Sequence, residues 1–81
     1  MDHATRERCL EEVESDVGRA QRNIISQLQI VAILEIGEHD ASMARQLLKL
    51  FEIALAKHLA DRDRLIEDLR EVAQHPDSKP A

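Results

Sequence analysis

Two long apolar helical patterns, separated by the four residues Gly37-Glu38-His39-Asp40, constrain this chain more than any other feature. Gly37 follows a run that can only be helical, and a glycine there can take the left-handed conformation that ends a helix without a Cβ penalty. Asp40 stands three residues later, where its carboxylate can accept from the free N–H groups of the next helix and suits that end of its dipole. A stop and a start this close leave no room for a wandering loop. Helices joined so tightly fold back as antiparallel neighbours.

The patterns on either side agree with that fold. Leu10, Val13, Val17, Ala20, Ile24, Val31 and Leu34 recur at alternating steps of three and four, and Gln27 holds the remaining position of the series. This is a heptad seam, with Leu10, Val17, Ile24 and Val31 at one core position and Val13, Ala20, Gln27 and Leu34 at the other. The second run reads Ala44, Leu48, Phe51, Leu55, His58, Arg62, Leu65, Leu69 and Val72. Folding at the hinge sets Val31 against Leu48, Ile24 against Leu55, Val17 against Arg62, and Leu10 against Leu69. Matching seams are an independent argument for a hairpin.

The expected fold is therefore all-α: a long antiparallel two-helix hairpin over residues 1–75. Helix 1 spans about 3–36, capped by Asp2 or Thr5, the hinge is 37–40, and helix 2 spans about 41–74. Residues 76–81 read as a disordered tail, because Pro76 and Pro80 interrupt helix and nothing apolar anchors it. Each helix would be about 50 Å long at 1.5 Å per residue. Gly18, inside helix 1, costs roughly 1 kcal/mol relative to Ala; it reads as a point of close approach between helices.

The half of the hairpin near the hinge is apolar on more than one side. Ile25, Ile30, Ile33 and Ile36 lie off the first seam, and Leu47, Leu50 and Ile53 lie off the second. A helix apolar all round must be buried all round, which two helices cannot achieve alone. These seven residues are the candidate oligomer interface, and a four-helix bundle made by two hairpins is the simplest assembly. The expected partner is the chain itself, as a dimer or tetramer, with another helical protein as the alternative occupant.

Composition excludes several functions. A formal charge of -5 in 81 residues opposes phosphate-backbone binding, and Phe51 as the only aromatic offers no stacking platform, so nucleic acid is not an expected partner. No apolar run is long enough to span a bilayer, and Glu35, Glu38 and Asp40 crowd the hinge, so no membrane partner is expected either. The start, Met1 to Arg8, is polar and mixed in sign, unlike a secretory signal, and the lone Cys9 has no disulfide or metal-spaced partner. A cytoplasmic location is the expectation.

One polar group interrupts the seams. His58 and Arg62 are four residues apart on the inward face of helix 2, opposite Ala20 and Val17, with Gly18 and Gln21 beside them and Gln27 on the facing seam. Gly18, Gln21, Gln27, His58 and Arg62 form the candidate site. Its simplest role is a structural layer that sets register. No further ligand shares the level, so no metal or cofactor is expected, and no Ser–His–acid or Cys–His set is present, so catalytic residues are not assigned. The charged segment Asp61 to Glu71 reads as a solvated helical face, apart from Arg62.

From Val17 to Leu65 the chain resembles a group of small uncharacterised bacterial helical-hairpin proteins. The resemblance is carried by Gly18, Ile24, Gln27, Leu34, Gly37, Asp40, Ala44, Leu47-Leu48, Phe51-Glu52, His58, Arg62 and Leu65. Glu38-His39 lengthen the hinge by one residue relative to that pattern. The resemblance implies the hairpin fold and no established activity. On these grounds the chain is expected to be a non-enzymatic, self-associating interaction module with a regulatory or scaffolding role. The alternative is a small sensor or phosphotransfer-like protein using the His58/Arg62 layer.

Overall fold

The computed structural model describes residues 2–74, so the tail expected at 76–81 lies outside the described residues. Two helices make up the fold: α1, His3–Ile36, and α2, Ser42–Gln74. They pack on each other along their length as a hairpin, in a rod of 66 × 16 × 14 Å.

Of the two residues that could cap α1, Asp2 does so. Its backbone is extended and its Oδ1 accepts from the Thr5 N–H at 2.7 Å. Hydrogen bonds from Thr5 hold the Asp2 carboxyl below the usual carboxylate range. Thr5 is thus the capped residue and not the cap.

The hinge closes one residue later than the sequence implies. Gly37 has φ -80, in the ordinary right-handed half of conformational space, and the left-handed residue is Glu38, at φ 60. Two hydrogen bonds explain the shift: Glu38 N–H to the Glu35 carbonyl (3.1 Å) and His39 N–H to the Leu34 carbonyl (2.8 Å). This nested pair is a Schellman stop, which puts the left-handed conformation on the residue between the two crossing bonds. A glutamate there carries a Cβ penalty that glycine would avoid.

Asp40 acts as expected, and its Oδ1 accepts from both the Ser42 N–H (2.9 Å) and the Ser42 hydroxyl (2.6 Å). Those bonds lower its carboxyl below the usual range. Ala41 precedes the helix proper, and its carbonyl accepts the first helical bond, from Arg45 N–H at 2.8 Å. At 2 % exposure it is the most enclosed residue of the core. The turn folds this small side chain inward.

Every seam residue is buried or half-buried. On α1 that holds from Leu10 to Leu34, and on α2 from Ala44 to Val72. The period of 3.5 is therefore satisfied along both helices. Yet the core is thin: among the described residues Val17, Ala20, Val31 and Ala41 are its buried apolar members, and no large side chain is fully enclosed. Two helices cover only the strip between them.

Gly18 is not a point of close approach. A Cβ built on it would meet only the tip of the Arg22 side chain, at an ordinary 3.4 Å, and it borders an open cleft. The helices do not need a glycine there in order to pack.

Candidate functional site

The five polar-layer residues do not form one layer. Gln27 is 5 % exposed, and its Nε2 donates to the Ala44 carbonyl at 2.9 Å. This bond corrects the expected facing of Val31 with Leu48, which would hold Gln27 and Ala44 about 12 Å apart along the rod, beyond a glutamine's reach; the two helices are shifted so that Gln27 lies near the level of Ala44. A buried amide of this kind must be bonded, and a backbone oxygen on the facing helix ties the two helices at that level.

Arg62, Gly18 and Gln21 stay together. With Glu14, Val17 and Ile66 they line an open cleft of about 410 Å³ on one flank of the seam. The shared cleft agrees with the expected approach of Val17 and Arg62. The Arg62 guanidinium turns to its sequence neighbour, Nη2 lying 3.5 Å from Asp63 Oδ1, and its Nε is buried without a hydrogen-bond partner. Of the two α1 acids nearest that level, Glu14 and Asp16, neither forms an ion pair with it. Glu14 shares the cleft without closing an ion pair, and Asp16 lies on the other flank, 3.7 Å from Arg19.

His58 opens onto that other flank. It lines a cleft of about 300 Å³ with Asp16, Arg19, Asn23 and Phe51. A step of four residues puts His58 and Arg62 on one face of α2, but they line separate clefts on the two flanks of the seam. The reason is simple: a seam position says that a side chain points inward and does not say past which side of the facing helix it leaves. Among the described residues no group of three or more His, Cys, Asp or Glu is arranged to hold a metal ion, and no helix is long and apolar enough to cross a membrane.

The larger feature is apolar. All seven expected interface residues (Ile25, Ile30, Ile33, Ile36, Leu47, Leu50 and Ile53) are exposed in the single chain, from 42 % at Leu47 to 84 % at Ile36. Leu28 and Met43 join them, at 50 % and 77 %. Both lie off the seams near the hinge, so the criterion that selects the seven also selects these two.

The register sorts this surface into flanks. Ile30 and Ile33 project from α1 on the same side as Met43, Leu47 and Leu50 of α2, the flank onto which His58 opens. Ile25 and Leu28 project on the opposite flank, which carries Lys49, Glu52 and the Glu35–Arg45 ion pair, 2.8 Å long. A groove of about 370 Å³ lined by Met43, Ala44, Gln46, Leu47 and Leu50 runs along the first flank.

Compared with known proteins, the chain matches no family model, no curated protein and no solved structure.

Proposed function

We propose that this protein is a non-enzymatic helical interaction module that works as a self-associated assembly, most simply two hairpins forming a four-helix bundle. One observation carries the reading: among the described residues nine large apolar side chains, all in the hinge half, are exposed while no large side chain is fully enclosed. Each such side chain contributes roughly 1.5–3 kcal/mol when it leaves water. Scattered exposed aliphatics need no explanation, but a set concentrated at one end of a rod marks an interaction surface. A regulatory or scaffolding role follows for a module whose main chemistry is association.

The sensor or phosphotransfer reading needs His58 and Arg62 to converge on one ligand, and they open onto opposite flanks. The interaction reading needs no such convergence. Thermal melting by circular dichroism across a hundredfold range of protein concentration tests it. Association coupled to folding raises the midpoint with concentration. A midpoint independent of concentration, with a cooperative transition, would show that one hairpin is stable alone.

A further inference from the structure

We infer that a second copy of this chain docks on the flank carrying Ile30, Ile33, Met43, Leu47 and Leu50, about a twofold axis running along the rod, with the hinges of both copies at the same end. The inference rests on the self-association proposed above and adds which flank is used and in which sense.

Charge selects the flank. Between Asn23 and Ile33 on α1, and between Met43 and Ala54 on α2, the register places no charged residue on this side. The opposite flank carries Glu35, Arg45, Lys49 and Glu52 at the same levels. Interface centres are depleted in charge because desolvating an ion costs more than a partner across the interface returns. With a formal charge of -5 on each chain, two copies can meet closely only where neither presents an ion.

Shape selects the occupant. The flank holds a ridge, Ile30 and Ile33, beside a groove formed by Met43, Ala44, Leu47 and Leu50. A twofold interface brings the same patch to itself, so it needs a knob and a matching hole on one surface. Rotation about an axis along the rod keeps each residue at its own height and swaps the two helices. The ridge of one copy then lies over the groove of the other, twice, in knobs-into-holes packing. An axis across the rod would set ridge on ridge and groove on groove.

Area agrees with a second copy. The chain exposes 6284 Å². A compact monomer of 9.2 kDa exposes about 4,900 Å². A rod exposes more than a compact body of its mass, and this surface can supply the roughly 800 Å² that each partner contributes to a stable interface of ordinary size.

Two measurements on the full chain test this. In the first, light scattering compares wild type with Ile33→Glu/Leu50→Glu and with Ile25→Glu/Leu28→Glu. The expected masses are two chains for wild type, one for the first variant and two for the second. If both variants dissociate, or only the second, the flank is wrong and self-association still stands. A wild-type mass of one chain overturns self-association itself and leaves the surface to a different helical protein.

The second measurement needs no variant and so survives any misfolding of one. Cys9 is the only cysteine, near the end of the rod away from the hinge. Spin labels on it report the sense of the pair by dipolar spectroscopy. Hinges together put the two labels about 15–20 Å apart, across one bundle. Hinges opposed put them about 60 Å apart, twice the rise from Cys9 to the centre of the patch. The longer distance would overturn the twofold along the rod.

Discussion

Moving the hinge glycine by one residue should stabilise the protein. Glu38 holds φ 60, and an L-residue there costs about 1–2 kcal/mol through its Cβ. Glu38→Gly removes that penalty and also a negative charge from the C-terminal end of α1, where the dipole disfavours it. Against this, glycine gains about 0.5–1 kcal/mol of freedom in the unfolded chain. The net expectation is a gain of about 0.5–1 kcal/mol, or roughly 2–8 °C in the midpoint for a domain of this size. Gly37→Ala is the control. Its φ of -80 suits alanine, and the new Cβ would lie 2.9 Å from Cδ2 of the exposed His39 ring, which can turn away. That variant should stay within about 0.5 kcal/mol of wild type, since relief of chain entropy and the ring contact oppose each other. Urea melts at one fixed protein concentration measure both. If Gly37→Ala costs more than about 1 kcal/mol and Glu38→Gly does nothing, Gly37 is the left-handed residue and the nested-bond stop is misplaced.

Three further expectations follow from single residues. Gly18→Ala should stabilise by about 0.5–1 kcal/mol through helix propensity, because nothing crowds the new methyl; a loss in urea melts would mean that another helix covers the Gly18 cleft in the assembly. Gln27→Ala should cost about 1–3 kcal/mol, while Gln27→Leu, which keeps the volume, should cost less; equal losses in thermal melts would show that the bond to the Ala44 carbonyl, and not the filled space, holds the level. Asp40 and Asp2 have lowered carboxyl pKa values, so their stabilisation is complete above the ordinary value of 3.8 and is lost as pH falls through the still lower folded value. Melting midpoints between pH 5 and 2.5 should therefore drop, and Asp40→Asn should flatten that drop; an unchanged slope would remove Asp40 from the account.

The hairpin was legible because one repeat carries it. Each residue that the alternating steps of three and four put on a seam, from Leu10 to Leu34 and from Ala44 to Val72, is covered in the structure. The hinge was legible to within a residue. Glycine marks where a helix is allowed to stop, whereas the bonds from Glu38 and His39 decide where it does stop, and those depend on geometry that no residue type announces. Ala41 escaped notice for a related reason: alanine reads equally well as helix interior or as filler under a turn. The polar layer was the least legible. Seam position put Gln27, His58 and Arg62 inward correctly, but the route of a long side chain around the facing helix depends on its neighbours. Gln27 ends on the Ala44 carbonyl, and the Arg62 guanidinium ends beside Asp63. Seven of the nine exposed aliphatics were legible from off-seam position near the hinge; Leu28 and Met43 escaped, and off-seam Leu59 and Ile66, farther along, are half-buried.

The mass of the unmodified chain in solution tests the central claim most directly. Light scattering behind size exclusion at micromolar concentration should return two chains of 9.2 kDa each, as a single species. A mass of one chain, with full helicity and a cooperative melt, would mean that this hairpin keeps nine aliphatic side chains in water and is stable without a partner.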